Sequence, residues 1–333
     1  MARVGVVGGG AFGTAMACVI RRAGHDTRIW VREPDVAAEI NRSGVNTVFL
    51  PGVALLPGIR ATNDLSEFGD VDLVVMAPPA QHMRFVSTQL RPFLKAGTSV
   101  VTCSKGIERV THAFMVHVIA ETLPEARVAV LSGPSFAGEI AVGLPTGVTL
   151  ACADIQLGER ICHAIGSARF RTYLSSDVIG VQIGGVLKNV LAIASGIAVA
   201  KNLGNNARAT LVARGLSEMV CLGAALGASA ETFMGLAGIG DLDLSCNSPH
   251  SRNMSLGIAL GEGRRATDVL GEKRQVHEGV HSAEGIAALA ERYGLDMPIC
   301  RSVDAVLNHG AGVDETIERL LAHPYTFDGA RAG

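Results

Sequence analysis

The sequence predicts an α/β domain with a doubly wound parallel sheet, followed by an all-α domain. Two observations predict this fold class. Over the first half of the chain, short runs rich in β-branched residues alternate with helical patterns, which is typical of βαβ units. From about residue 176 onward the chain is rich in Ala, Leu and Gly and has few β runs. We therefore predict domains at residues 1–176 and 177–333.

In the first domain, the pattern predicts a strand over residues 3–7 and a helix over 14–22 that ends at Gly24. Further strands are predicted over 27–31, 73–77, 99–103, 128–131, 146–153 and 170–174. In the second domain, Ser175, Ser176 and Asp177 are candidate caps for a helix that runs to about Asn202. Later helices are predicted near 207–226, 251–261, 282–293, 299–308 and 313–322.

The composition argues against several classes of protein. A net charge of -2 and an aromatic content of 4% do not suit a nucleic-acid partner. The seven cysteines are odd in number and never spaced as CxxC, which favours a reducing compartment over a disulfide framework or a structural zinc site. The longest apolar stretch, 190–200, is shorter than the ~20 residues that span a bilayer, and no signal-peptide layout is present. We expect a cytoplasmic protein with no metal and no integral membrane segment.

A glycine-rich turn follows the first predicted strand. Gly8, Gly10 and Gly13 match GxGxxG between a strand and a helix, where the first glycine permits the turn and the second lets backbone approach a pyrophosphate. The third allows close helix–strand packing, and the helix N-terminus attracts the phosphates. We interpret this turn as a dinucleotide site; the alternative is an ordinary strand–helix turn.

The end of the second strand bears on the choice of dinucleotide. An acidic residue there usually binds the ribose hydroxyls of NAD, but here Arg32 precedes Glu33. Because Arg32 is suited to a 2′-phosphate, the sequence favours NADP or dual use over NAD alone. The alternative is a solvated arginine at the start of a loop.

Several distinctive stretches follow other predicted strands. In an open parallel sheet, ligands bind outside the carboxyl ends of the strands. Because these stretches all follow strands, we expect them to share one edge of the sheet and to form a cleft there. The cleft would be lined by the glycine turn, Arg32 and residues 77–79, 104–106 and 132–137.

The second domain holds a candidate acid/base. The chain has only five lysines, and one of them, Lys188, lies in an apolar helix with Gly184, Gly185 and Ala192 three or four positions away. We expect this bare face to leave room for a substrate beside a lysine that exchanges its proton; a surface lysine is the alternative. Further on, Asp241 follows a glycine turn, and residues 251–253 begin a helix as a candidate anion site, with an ordinary helix cap as the alternative.

With these residues assembled, the chain resembles bacterial NAD(P)-dependent glycerol-3-phosphate dehydrogenase. The resemblance covers nearly the whole chain through the ordered motifs GGGAFGTAMA, CSKGIE, LSGPSFA, LKNVLAIASGI, GDLDLSC, SRN and VHEGV. It implies a Rossmann-type domain followed by a helical domain of the 6-phosphogluconate-dehydrogenase-like kind. It also implies interconversion of sn-glycerol 3-phosphate and dihydroxyacetone phosphate for phospholipid synthesis, and a homodimer.

The resemblance also implies roles for particular residues. Lys188 matches the proton acceptor. The positions matched to substrate binding are Lys105, Gly133, Ser135, Lys188, Asp241, Ser251, Arg252 and Asn253. The positions matched to cofactor binding, together with the three glycines of the turn, are Ala11, Phe12, Arg32, Lys105, Ala137, Arg252, Val276 and Glu278.

Two stretches depart from the family pattern. The motif after Asp241 contains an extra carboxylate, Asp243, which would perturb Asp241 if both faced the site. The loop that contains Pro78 and Pro79 replaces a commoner Val-Pro-Ser pattern. We expect the reaction to be unchanged and the affinity to be the quantity affected.

Three other functions are compatible with parts of the sequence. Residues 277–281 spell HExxH, the motif of zinc peptidases, but Gly279 weakens a helix there and we predict a cofactor-contacting loop instead. A sibling dehydrogenase for a hydroxy acid or sugar acid would share the glycine turn and the lysine. A dinucleotide sensor without catalysis would have no need of Lys188.

Overall fold

The computed structural model describes residues 1–271 and 277–324 of the chain. Its contacts divide the chain into two compact units. The first contains Met1–Ser104 and Phe114–Val178, and the second contains Lys105–Ala113 and the chain from Ile179 onward. This division differs from a single boundary after residue 176, because the short segment Lys105–Ala113 packs with the second unit.

The first unit is built on an eight-stranded sheet with the strand order β10-β9-β8-β7-β6-β1-β2-β5. A separate pair, β3 and β4, forms a small antiparallel hairpin. The strands are β1 Arg3–Val7, β2 Asp26–Trp30, β3 Val45–Asn46, β4 Leu50–Ala54, β5 Ile59–Thr62, β6 Leu73–Met76, β7 Ser99–Thr102, β8 Arg127–Ser132, β9 Thr146–Ala151 and β10 Phe170–Ser175. Each strand predicted from the sequence is present, and the structure adds β3, β4 and β5.

Helices cover both faces of this sheet, as a doubly wound fold requires. They are α1 Ala11–Arg22, α2 Pro34–Ser43, α3 Met83–Leu90, α4 Met115–Thr122, α5 Ala137–Val142 and α6 Ile155–Ile165. Along β6, Leu73 and Val75 join the core cluster that contains the buried side of α1. Val74 and Met76 point to the opposite face, because successive strand side chains alternate, and they are also fully buried.

One strand pair differs from the predicted parallel sheet. Strand β9 runs antiparallel to β8, with Ser132 opposite Thr149. The six-residue helix α5 between them is only about 9 Å long, which is too short to return the chain along the strand for a parallel crossover. The chain therefore enters β9 at the edge where β8 ends.

The second unit is helical. Its helices are α7 Val178–Ala200, α8 Gly204–Ala225, α9 Ala230–Phe233, α10 Asp241–Asn247, α11 Arg252–Gly261, α12 Ala266–Gly271, α13 Glu278–Arg292, α14 Pro298–Asn308 and α15 Val313–Leu321. Glycines bring the backbones of α7 and α11 together: a Cβ on Gly196 would overlap the carbonyl oxygen of Met254, and one on Gly257 would overlap that of Ile193.

Helix α7 is the core helix of this unit. It is 23 residues long with a mean hydropathy of 1.8, so its apolar character extends well beyond residues 190–200. By length and composition alone it is sufficient to cross a membrane, but 83% of its most apolar window is buried inside the protein. The core helix of a globular protein has these same properties.

Candidate active site

The three glycines of the turn after β1 differ in their surroundings. Gly8 has a φ of +122°, and a Cβ there would lie 2.8 Å from the carbonyl group of Ala77. A Cβ on Gly13 would overlap the carbonyl oxygen of Gly8. At Gly10, in contrast, an added Cβ would meet nothing within 4 Å. Packing therefore accounts for Gly8 and Gly13, whereas the open space beside Gly10 fits a ligand that approaches the backbone.

The N-terminus of α1 is suited to an anion. Gly10 is its N-cap residue, and among the described residues no side chain caps the helix and no acidic residue lies in its first turn. Ala11 and Phe12 begin the helix, so their backbone N–H groups belong to the first turn, which has no helical acceptors. This arrangement fits the pyrophosphate of a dinucleotide.

Arg32 follows β2 at the same edge of the sheet. Its side chain is 72% exposed and donates to Glu33 Oε1 from Nε at 2.9 Å and from Nη2 at 2.6 Å. The arginine is thus neither buried nor simply solvated, because it forms an ion pair with its neighbour.

The loops after β6, β7 and β8 lie at this carboxyl edge, because these strands are parallel to β1. Ser104 Oγ donates to the carbonyl oxygen of Pro78 at 2.5 Å and so joins two of the loops. Gly133 has a φ of +132°, and Ser135 Oγ donates to its carbonyl oxygen at 2.7 Å. Ala137 begins α5 after this loop.

The second unit brings together three charged side chains that are far apart in sequence. Lys105 Nζ lies 2.5 Å from Asp241 Oδ2, and Lys188 Nζ lies 3.1 Å from Asp241 Oδ1. Asp241 is 1% exposed, and the lysine side chains are 15% and 14% exposed. One buried carboxylate therefore lies between two nearly buried ammonium groups.

The charges of this triad set one another's protonation. Burial lowers the pKa of the Lys188 ammonium, and Lys105 and Arg252 lower it further, while Asp241 opposes this shift. Burial by itself would raise the pKa of Asp241, but Lys105 and Lys188 hold that pKa below its ordinary value. Asp241 is therefore ionised at neutral pH, and Lys188 loses its proton more readily than a lysine in water.

The structure adds Ser245 to this group. Lys188 Nζ donates to Ser245 Oγ at 3.0 Å, and Ser245 is 2% exposed. Asp241 and Ser245 are four residues apart on α10 and share one helix face, a spacing that was visible in the sequence. The extra carboxylate Asp243 lies on the exposed face of α10, where it accepts from Asn247 Nδ2 at 2.7 Å. It does not face Lys188 as Asp241 does.

A chain of amide hydrogen bonds joins the triad to α11 and α13. Asn189 Nδ2 donates to the carbonyl oxygen of Lys105 at 2.9 Å, and Asn253 Nδ2 donates to Asn189 Oδ1 at 2.8 Å. The backbone N–H of Gly279 then donates to Asn253 Oδ1 at 3.3 Å. Asn189, which the sequence analysis did not assign to the site, thus fixes the backbone of Lys105.

The start of α11 holds the predicted anion-binding residues. Ser251 is its N-cap, and its Oγ accepts from the backbone N–H of Met254 at 3.3 Å. Arg252 is exposed and interacts electrostatically with Glu278 at the start of α13. Val276, which the resemblance assigns to the cofactor, lies outside the described residues.

Two expectations for this unit were wrong. The face of α7 around Gly184 is not open to a substrate, because a Cβ there would overlap the carbonyl oxygen of Ala237 in the turn before α10. The segment after His277 is not a loop: Glu278 begins α13, and Gly279 lets this helix pack closely against Asn253 and Ile193. Within residues 1–271 and 277–324, no group of three or more His, Cys, Asp or Glu side chains is arranged to hold a metal.

Enzymes that transfer a hydride to or from a nicotinamide dinucleotide need a phosphate-binding turn for the cofactor. They also need a group that exchanges a proton with the substrate. The first unit contains such a turn, and Lys188 in the second unit has the required burial and lowered pKa. The fold and the site place the chain in the class of nicotinamide-dependent dehydrogenases.

Comparison with known proteins gives the family. The model of the N-terminus of NAD-dependent glycerol-3-phosphate dehydrogenase matches residues 3–158, and the model of its C-terminus matches residues 177–318. The chain belongs to the NAD-dependent glycerol-3-phosphate dehydrogenase family. It is 51% identical over 323 residues to glycerol-3-phosphate dehydrogenase [NAD(P)+] of Parvibaculum lavamentivorans, covering 97% of both chains. It is also 51% identical over 322 residues to the enzyme of that name from Caulobacter vibrioides, again covering 97% of both chains.

Solved structures agree with this assignment. Glycerol-3-phosphate dehydrogenase from Coxiella burnetii superposes with a TM-score of 0.92 at 35% identity and covers 97% of this chain and 99% of its own. A D-mandelate dehydrogenase superposes with a TM-score of 0.66 at 14% identity, covering 96% of this chain and all of its own, and shares the fold alone.

Proposed function

We propose that the chain interconverts sn-glycerol 3-phosphate and dihydroxyacetone phosphate with NAD(H) or NADP(H), and that Lys188 is its general acid/base. The observation that carries the proposal is the nearly buried ammonium group of Lys188, which lies 3.1 Å from the buried carboxylate of Asp241, with Lys105 on the other oxygen of that carboxylate. The curated relatives, about half identical over nearly their whole length, bear the name of this activity.

The residues of the second unit would divide the work as follows. In the oxidative direction, the neutral amine of Lys188 accepts the proton of the substrate hydroxyl as the hydride leaves the carbon that bears this hydroxyl. In the reductive direction, its ammonium returns the proton to the developing alkoxide. Asp241 and Ser245 fix the position of Lys188 Nζ by direct contacts. The charges of Lys105 and Arg252 and the polar groups of Ser251 and Asn253 suit the phosphate end of the substrate.

When bound, the nicotinamide exchanges the hydride with the substrate carbon. The pyrophosphate of the dinucleotide would be held at the N-terminus of α1 by Gly8, Gly10, Ala11, Phe12 and Gly13. The remaining proposed cofactor contacts are Arg32, Lys105, Ala137, Arg252, Val276 and Glu278, and the proposed substrate contacts in the first unit are Gly133 and Ser135.

For the cofactor, we keep the preference for NADP or dual use. The guanidinium of Arg32 already forms an ion pair with Glu33. A 2′-phosphate must therefore compete with this exposed ion pair, which contributes at most about 1 kcal/mol of stabilisation. Exchanging Glu33→Gln should therefore raise kcat/KM for NADPH relative to NADH by a few fold, and Arg32→Ala should lower this ratio. An unchanged ratio in both variants would remove Arg32 from cofactor selection.

The proposed setting follows from the family resemblance. We propose that the enzyme is a cytoplasmic homodimer that supplies glycerol 3-phosphate for phospholipid synthesis. No nucleic acid takes part in this function.

The deciding experiment is dihydroxyacetone-phosphate-dependent oxidation of NADH and, in parallel, NADPH, followed by the loss of reduced-nicotinamide absorbance. Turnover with either cofactor is the expected result. A panel of 2-keto acids and sugar acids serves as the control, because a sibling dehydrogenase of the same architecture would prefer one of them. Cofactor binding without dihydroxyacetone phosphate turnover would transfer the assignment to such a sibling.

A further inference from the structure

Asn46 is a buried polar residue that the proposed reaction does not use. It lies in β3 of the small hairpin, 37 residues after Gly9, and has no exposed surface. Its Nδ2 donates to the carbonyl oxygen of Gly9 at 2.9 Å and to Thr14 Oγ1 at 2.8 Å. Its Oδ1 accepts from the backbone N–H of Phe49 at 3.0 Å. A side chain from another element therefore contacts the middle of the glycine turn.

The peptide after Gly9 is held from several sides. Thr14 Oγ1 also donates to the carbonyl oxygen of Gly9, at 3.3 Å, so this oxygen accepts from two buried side chains. A Cβ on Gly9 would lie 2.5 Å from a methyl group of Val31, which shows how closely the residue after β2 packs against it. The oxygen is thereby directed into the protein.

This orientation decides where the next N–H group points. The peptide between Gly9 and Gly10 is trans, so its C=O and N–H groups point in opposite directions. With the oxygen of Gly9 turned inward, the N–H of Gly10 is directed outward. Among the four glycines of the turn, Gly10 is the one beside which an added Cβ would meet nothing within 4 Å.

We propose that Asn46 is a positioning residue for the dinucleotide: it holds the Gly9 carbonyl inward and so presents the Gly10 N–H to the pyrophosphate. This inference rests on the proposed placement of the pyrophosphate at the glycine turn. A backbone N–H that is held in place before binding loses less conformational entropy when it meets the phosphate.

The hairpin itself does not depend on the Nδ2 group of Asn46. Glu39 accepts from Thr47 through its backbone N–H at 3.1 Å and its hydroxyl at 2.8 Å, and Val45 pairs with Ala54. Asn46→Asp keeps the acceptor for Phe49 and nearly the same volume but removes the donor to Gly9. Asn46→Ala removes both, and Thr14→Val removes the second donor to the Gly9 oxygen.

The test measures dissociation constants for NADH and for ADP-ribose, which has the pyrophosphate but no nicotinamide. Asn46→Asp, Asn46→Ala and Thr14→Val should each raise both dissociation constants by about tenfold. This is the effect of losing one hydrogen bond to a charged group, here the bond from the Gly10 N–H to the pyrophosphate. The KM for the cofactor should rise in proportion, while kcat at saturating cofactor and the KM for dihydroxyacetone phosphate stay within about twofold.

Asn41→Ala is the matched control. Asn41 also bridges backbone in the first unit, donating to the carbonyl oxygen of Ala61 and accepting from its N–H, both at 2.8 Å, without contact to the glycine turn. Its loss should lower thermal stability but leave both dissociation constants unchanged. Unchanged affinity in the Asn46 variants, or equal weakening in Asn41→Ala, would overturn the positioning role. Wild-type protein that bound neither ligand would overturn the proposed site as well, before any variant is compared.

Discussion

At the scale of single residues, neighbouring groups shift the pKa of Lys188 in opposite directions. Burial, Lys105 and Arg252 favour its neutral form, and Asp241 favours its charged form. A proton acceptor needs this balance, because a fully stabilised ammonium would never release its proton and a neutral amine would be unable to return one. The direct contact with Asp241 keeps the group charged enough to do both.

Replacing Lys188 separates its proton chemistry from its charge. Lys188→Ala should lower kcat by about 10²- to 10⁴-fold, the usual contribution of general acid–base catalysis, and leave the dissociation constant for NADH unchanged. Lys188→Arg keeps the positive charge but does not deprotonate, so it should be similarly inactive. Single-turnover rates together with cofactor titrations measure both quantities; retained turnover in either variant would contradict the role of Lys188.

The partners of Lys188 should shift its pH profile in opposite directions. Oxidation of glycerol 3-phosphate needs the neutral amine, so kcat rises as pH passes the pKa of Lys188. Asp241→Asn removes the charge that raises this pKa, so the rise in kcat should move to lower pH. Lys105→Met removes a charge that lowers it, so the rise should move to higher pH. These profiles are measured at saturating substrate, and shifts in the same direction would count against the triad.

At the scale of elements, the geometry of the site depends on how closely α7 approaches its neighbours. Gly184 lies one turn before Lys188 and admits the backbone of Ala237, which leads directly into α10 and Asp241. The distance between Lys188 and Asp241 is therefore set by a glycine whose role the sequence suggested wrongly. Gly196 and Gly257 make the corresponding close approach between α7 and α11.

Gly184→Ala should disturb both stability and catalysis. Its new Cβ overlaps a backbone oxygen that cannot rotate away, so the free energy of unfolding should fall by about 1–3 kcal/mol. Displacement of α10 should lower kcat with little effect on NADH affinity. Gly138→Ala in α5, where an added Cβ meets nothing within 4 Å, is the control and should leave stability unchanged or slightly raised. Denaturant titrations and steady-state kinetics of both variants distinguish these outcomes.

At the scale of the whole molecule, the chain divides its chemistry between two units. The glycine turn, Arg32 and the loops of the sheet edge belong to the first, and the charged triad belongs to the second. The segment Lys105–Ala113 leaves the sheet after β7 and joins the helical unit, so Lys105 reaches Asp241 although it follows a strand in the sequence. A single domain boundary drawn along the sequence does not predict that this segment belongs to the helical unit.

The proposed homodimer is testable on the intact chain. Sedimentation equilibrium should give twice the 34.6 kDa of one chain, with a mass that falls on dilution if the association is reversible. The measurement is made with and without NADH, because a ligand that binds the dimer more tightly than the monomer would shift the equilibrium toward the dimer by mass action. A mass of one chain at all concentrations would contradict the dimer.

The sequence by itself determined the alternation of strands and helices, the glycine turn and the candidate lysine. Each depends on patterns a few residues long. The sequence also contained signals for α2 that our prediction did not use. Pro34 occupies the first position of this helix, and Gly44, with a φ of +65°, follows its last residue. Only the tertiary structure decided the antiparallel β9, the contact of Asn46 with Gly9 and the sign of the Lys188 pKa shift. Those features depend on distances between residues far apart in the chain, and the balance of burial against two opposing charges changes sign with such distances.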